Sequence, residues 1–193
     1  MLSKTIRPAL VLLTAMTIVT GFIYPLVITG VAQAAFPHQA AGSLLERDGK
    51  AVGSTLIGQS FTAPKYFWSR PSATGSYPYN AAASSGSNQG PINPALINAV
   101  RTRIATLHAA DPDNSLPIPV DLVTASASGL DPHISRAAAR YQLARVARQR
   151  GMDNAMVEKL MDRFTSDSVL GFMGEAHVNV LQLNVALDDL VTP

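Results

Sequence analysis

The sequence predicts an α+β fold class, a single N-terminal transmembrane helix followed by one mixed extracytoplasmic domain. Three observations predict it. No charged residue occurs between Arg7 and Glu46, and Pro8 to Phe36 is almost wholly apolar. An Asp48-Gly49 pair separates two short runs in the manner of a hairpin turn. Beyond it, Asn93-Pro94, Ser135 and Asp153 each stand at the head of a helix-forming stretch.

The apolar run comes first. A helix rises about 1.5 Å per residue, so roughly 20 apolar residues cross the hydrocarbon core and this run suffices with some tilt. Lys4 and Arg7 precede it, and basic flanks stay on the cytoplasmic side. Residues 1–36 are therefore expected to form an anchor with a cytoplasmic N-terminus, and residues 37–193 a periplasmic domain. A cleaved signal peptide is the rival reading, because Ala32-Gln33-Ala34 has the small residues of a cleavage site. A signal core of about 7–15 residues is shorter than this one. Both readings export the remainder. Tyr24 and Phe36 suit membrane interfaces, although Tyr24-Pro25 also fits a kink. Thr17 and Gly21 form a small-xxx-small pair that lets another helix come close, a candidate partner contact.

The elements of the domain follow in order. Leu44–Arg47 and Lys50–Val52 flank Asp48-Gly49, a favoured two-residue turn because both central positions need positive φ. Thr55 to Phe61 is expected to add a strand. Tyr66-Phe67-Trp68 is an aromatic cluster for the core or an interface. Pro71 to Gln89 is a long stretch of Ser, Ala, Gly, Asn and Pro, read as a loop that is either mobile or ordered by a partner. Asn93 caps the next helix and Pro94 fits its first turn, with Ile97, Val100, Ile104 and Leu107 as the buried stripe and Ile92 stapled to Ile97. Val120 to Thr124 reads as extended. Ser135 caps a helix that runs to Arg150 and stops at Gly151. Asp153 caps another, with Met156, Leu160 and Phe164 as its stripe. His177 to Leu181 reads as extended, and Leu183, Leu187 and Leu190 suggest a closing helix.

Composition excludes several function classes. There is no cysteine, so disulfides, thiol catalysis and thiolate metal sites are all absent. Apart from Lys4 and Arg7, the 15 basic residues are matched by the 13 acidic ones, which leaves the domain formally neutral and argues against nucleic acid as a partner. Arg136, Arg140, Arg145, Arg148 and Arg150 nevertheless fall in a stretch without acids, read as a solvated helix face or a docking surface for an acidic partner. No phosphate-binding loop, dinucleotide fingerprint or zinc helix motif occurs, and the four histidines lie far apart. No metal site and no tightly bound cofactor is expected. Ser126 or Ser128 with His133 and Asp131 has the residue types of a nucleophilic triad, but single sequences hold many such accidental trios, and a polar turn capping the next helix is the better reading. Two stretches of small residues, Ala83 to Gln89 and Thr124 to Asp131, permit close backbone approach by another segment, a ligand or a partner.

Those two stretches and the aromatic cluster carry a resemblance. Tyr66-Phe67-Trp68-Ser69-Arg70-Pro71-Ser72-Ala73, Ser84 to Asn88 and Asp121 to Ile134 resemble the C subunit of the bacterial Kdp potassium-transporting ATPase. The likeness extends from Arg7-Pro8-Ala9 and Tyr24-Pro25-Leu26 to Leu183–Asp188. It implies a retained anchor and a non-catalytic subunit of an inner-membrane complex that hydrolyses ATP to bring potassium into the cell. The implied partners are a channel-like potassium-translocating subunit, a P-type ATPase subunit, a small membrane peptide and the lipid bilayer. The resemblance also implies a catalytic chaperone that raises the ATPase subunit's affinity for ATP. Its implied nucleotide-binding residues are Ser84, Ser85, Gly86, Ser87, Asn88 and Gln89, with Ser85 where the compared transporter motif has its first glycine. The charge bias of the anchor places this domain outside, away from ATP. The expectation from orientation is thus a domain over the outer mouth of the translocating subunit, with Ser126, Ser128, Gly129 and Asp131 as candidate partner contacts. A membrane-anchored scaffold or binding domain unrelated to potassium, or an exported enzyme, are the alternatives.

Overall fold

A computed structural model describes residues 2–168 and 173–190. The chain divides into two compact units, Met1–Leu44 and Leu45–Pro193. The first is built on helix α1 (Leu2–Ile18), a π-helical turn (Val19–Ile23) and helix α2 (Tyr24–Ala35). Lys4–Ala35 is a continuous helical run of 32 residues, uncharged beyond Arg7 and nowhere buried, and is long and apolar enough to cross a membrane. The break expected at Tyr24-Pro25 takes the form of the π turn just before it. Phe36 leaves the helical conformation, and a four-residue helix α3 (Pro37–Ala40) follows.

The second unit begins inside a hairpin of strands β1 (Leu44–Arg47) and β2 (Lys50–Ser54). Asp48 (φ 52°) and Gly49 (φ 71°) both take the left-handed conformation that this turn requires. Thr55 to Phe61 adds no strand. Gly58 instead presses its bare backbone against the Tyr79 ring and donates its N–H to the Leu130 carbonyl (2.8 Å), and Gln59 folds back onto the Val52 carbonyl.

Helix α4 (Pro94–Ala110) starts as expected, with the Asn93 side chain accepting the Ala95 N–H. Its buried edge runs through Val100, Ile104 and Leu107. Ile97 is exposed, and Ile92, 91 % exposed, forms no staple. Val120–Leu122 is a 3-10 turn rather than an extended run, because the Val123 and Thr124 N–H groups both close back on the Val120 carbonyl.

Strand β3 (His133–Ser135) leads into helix α5 (Arg136–Arg150). Ser135 caps that helix through the Ala138 N–H, and Gly151 (φ 64°) ends it. Helix α6 (Asn154–Arg163) is capped by Asp153. Its buried residues are Val157, Leu160 and Met161, whereas Met156 faces solvent, so the stripe is rotated from the every-fourth-residue pattern. Strands β4 (Thr165–Ser166) and β5 (His177–Asn179) complete an antiparallel sheet of order β3-β5-β4, with Ile134 opposite Val178 at its buried centre. β5 stops at Asn179 because that side chain caps helix α7 (Val180–Asp189) at the Gln182 N–H, so Val180 and Leu181 are helical rather than extended.

The core lies among α5, α6, α7 and the aromatic cluster. Phe67 is fully buried, and one side-chain amide each holds the backbone of Phe67 and of Trp68. Asn184 on α7 accepts the Phe67 N–H and donates to the Phe67 carbonyl, each at 2.9 Å. Gln142 on α5 does the same for Trp68, at 2.8 and 3.1 Å. The arginines of α5 form no bare basic face. Arg145 is buried, bonds the Pro64 carbonyl and Gln142, and lies over the Trp68 ring. Arg148 pairs with Asp111 (2.6 Å), Arg150 with Asp188 (2.8 Å), Arg136 with Asp162 (2.6 Å) and Arg140 with Glu158 (3.5 Å). Their acids come from α4's end, α6 and α7, which the local sequence does not display.

Candidate functional site

The two small-residue stretches meet each other. Ser85 donates its N–H to the Ser128 carbonyl (3.0 Å), and the Ser84 hydroxyl donates to the same oxygen (2.9 Å). A Cβ at Gly86 would stand 2.8 Å from the Ala127 carbonyl oxygen. Gly129, at φ +68°, would bring one within 2.7 Å of the Ser85 carbonyl oxygen and 2.6 Å of the Thr74 methyl. Small side chains are thus required here by backbone-to-backbone packing within the domain.

The Pro71–Gln89 stretch is ordered by its own polar groups. The Ser72 hydroxyl donates to the Gly129 carbonyl (2.7 Å) and accepts the Tyr79 N–H (2.9 Å). Thr74 donates to the Tyr77 carbonyl and accepts the Asn80 N–H, and buried Asn80 caps a short 3-10 turn, Ala81–Ala83. The Tyr79 hydroxyl donates to the Arg70 carbonyl. Its pKa is pushed up to about 12, chiefly by burial, with Ser69 opposing and Asp131 reinforcing the rise.

Beside these loops stands a charged pair. Arg70 meets Asp131 at 3.0 Å, and Asp131 also accepts the His133 N–H at 3.0 Å and faces the His133 ring nitrogen at 3.3 Å. Burial works to raise the Asp131 pKa, but the bonds from His133 and Arg70 outweigh it and hold the carboxyl below its usual range. The His133 ring meets His177 edge-on, centroids 4.4 Å apart. Neither Ser126, which is buried, nor Ser128, whose hydroxyl accepts the Leu130 N–H, bonds His133 among the described residues. The triad reading therefore has no geometry behind it; Asp131 serves the turn into β3.

Three clefts surround this pair, and Arg70 lines all of them. One of about 330 Å³ has an apolar floor of Phe61, Trp68, Leu107 and Leu122 beneath Arg70 and Arg103. Another, about 370 Å³, lies between Asp121, Asp131, His133 and His177. The third, about 500 Å³, is open and includes Ser126, Ser128 and Asp131. Ser84 to Gln89 line none of these three clefts and sit on the exposed side of the loop contact. Among the described residues no group of three or more His, Asp or Glu is placed to hold a metal ion.

In the other unit, the Thr17 hydroxyl donates to the Leu13 carbonyl (2.8 Å), and nothing lies within 4 Å of a Cβ built at Gly21. Arg70 and Tyr79 were the residues sequence reasoning missed. Arg70 sits inside a recognised block, but its partner is 61 positions away.

Residues 6–189 match the family model described as the c chain of the K+-transporting ATPase. The chain is 62 % identical over 189 residues to a protein of Polaromonas naphthalenivorans, covering 98 % of this chain and 96 % of the relative. It is 61 % identical over 183 residues to one of Sorangium cellulosum (95 % and 96 %) and 59 % identical over 184 residues to one of Methylococcus capsulatus (95 % and 97 %). Each of these relatives is named the potassium-transporting ATPase KdpC subunit.

Proposed function

Since the chain belongs to the KdpC family, the c chain of the K+-transporting ATPase, and is an accessory subunit of that potassium transporter, we propose how it takes part. Residues 4–35 cross the membrane once, with Lys4 and Arg7 cytoplasmic, and the domain that follows lies in the periplasm. There it docks on the outer mouth of a channel-like potassium-translocating subunit, stabilising the assembly with the P-type ATPase subunit and a small membrane peptide. The docking region is the rim where Ser84 to Gln89 meet exposed Ser128, backed by buried Ser126 and Gly129 and flanked by half-buried Asp131.

The observation that carries this reading is the unbroken match from residue 6 to residue 189, which takes in the apolar helix and the paired loops together. Any rise in the ATPase subunit's affinity for ATP is transmitted through subunit contacts in this scheme, because the domain lies on the side of the membrane without ATP.

Two measurements test it. Detergent extracts of potassium-starved cells are expected to yield the chain bound to a P-type ATPase. Protease added to spheroplasts is expected to remove the domain and spare the anchor. Full protection of the domain would reverse the orientation and revive direct contact of Ser84 to Gln89 with ATP.

A further inference from the structure

The apolar helix carries a defect at its centre. The Tyr24 N–H bonds the Val19 carbonyl, five residues back, instead of the Thr20 carbonyl four back. The next N–H along would belong to residue 25, which is proline and has none. Both the α-helical and the π-helical donor for the Thr20 carbonyl are thus missing. The nearest hydroxyls give no relief, because Thr17 and Thr20 donate to the Leu13 and Met16 carbonyls at 2.8 and 2.7 Å. Thr20 falls midway along the Lys4–Ala35 stretch, where hydrocarbon offers no water to an unpaired carbonyl. Next to it Gly21 has no side chain and open space around it, so an approaching helix meets bare backbone. π turns of this kind are frequent at functional sites.

We propose that the Thr20 carbonyl accepts a hydrogen bond from a hydroxyl, amide or indole side chain on a transmembrane helix of another subunit, packed against Gly21. The inference rests on reading the apolar helix as a subunit contact. Partial-charge complementarity selects the occupant, since the defect presents an acceptor without a donor. A parallel second copy of this chain is the poorer fit. At that depth it would present Thr17 and Thr20, whose hydroxyls are already committed.

The test uses the whole complex, purified with a photoreactive benzoylphenylalanine at Phe22. The adduct is expected on one partner helix with a donor side chain at the same depth. Replacing that donor by its apolar counterpart is expected to weaken retention of this chain in the complex by about 3- to 20-fold. In the Pro25→Ala background, where residue 25 supplies an N–H to its own helix, the same replacement is expected to change retention by less than about twofold. Equal effects in both backgrounds, an adduct on a second copy of this chain, or an adduct on a helix without a donor would each overturn the proposal while leaving the subunit contact intact. An intact complex with adducts on lipid alone would sink the subunit contact itself. If Pro25→Ala does not assemble, donor replacement alone decides, and a change below about twofold overturns the proposal.

Discussion

Replacing Asn184 by alanine removes both bonds that hold the Phe67 backbone. Phe67 is fully buried, so its N–H and its carbonyl both lose a partner without gaining water. Each unsatisfied buried group costs about 1–3 kcal/mol, so the variant is expected to lose roughly 2–6 kcal/mol. Trp68 is the chain's single tryptophan and neighbours the damaged residue, so its fluorescence reports the site directly. Urea unfolding of the full chain in detergent, followed by that signal, is the assay. With a slope of about 2 kcal/mol per molar, the midpoint is expected to fall by roughly 1–3 M. Asn184→Asp sharpens the result. Its carboxylate still accepts the Phe67 N–H but opposes the Phe67 carbonyl, so the loss at neutral pH is expected to be at least as large. Acid is expected to recover part of it, because the protonated carboxyl again donates. A midpoint for Asn184→Ala within about 0.3 M of the parent would refute the claim that this amide pair holds the cluster in place.

Gly129→Ala is expected to destabilise by about 2 kcal/mol or more, because it combines a left-handed φ with contact on the Ser85 carbonyl, while Gly151→Ala, left-handed but in open space, is expected to cost only about 1 kcal/mol. The same urea midpoints rank the two. Asp131 has a folded pKa below its unfolded value, so the unfolded chain binds more protons in acid and stability decreases as pH is lowered. Its contribution is present above its ordinary value of 3.8 and is lost as pH drops through the lower folded value. Midpoints measured from pH 6 to pH 2 are expected to show a shallower acid fall in Asp131→Asn than in the parent. Arg145→Lys is expected to lose about 1–3 kcal/mol, because an ammonium cannot bond both Pro64 and Gln142 while lying flat on Trp68. A near-parental unfolding midpoint for that variant would count against the fork geometry.

Local chemistry was legible in the sequence and long-range chemistry was not. Asp48-Gly49, Asn93-Pro94, Ser135, Gly151 and Asp153 each act through atoms within a few residues, and each does what its type demands. Of the stripe expected on α6, Leu160 is buried and Phe164 packs against the core; only Met156 was misplaced, because burial follows the position of α5, which packs from outside the segment. Val120 to Thr124 was read as extended because it is a short apolar run, but the Val120 carbonyl closes a tight turn. The arginines of α5 misled most. Nothing between Asp131 and Asp153 reveals that acids at 111, 158, 162 and 188 will meet them. At the candidate site, the two small-residue stretches were recognised separately. That they require each other depends on a contact across some 40 positions.

The place of β5 and α7 in the fold governs when the domain can form during synthesis. The central strand of its three-stranded sheet is His177–Asn179, so β3 and β4 have no partner until those residues exist. Asn184 then fastens Phe67, and Asp188 ties together Tyr66, Arg47 and Arg150 from three earlier parts of the chain. A ribosome adding about 5–20 residues per second leaves more than a hundred residues waiting for several seconds before closure. In the topology proposed above, the apolar helix enters the bilayer first and holds the waiting chain at the membrane. In that topology, truncation ahead of Val178 is expected to leave a tethered, unfolded chain rather than a smaller domain.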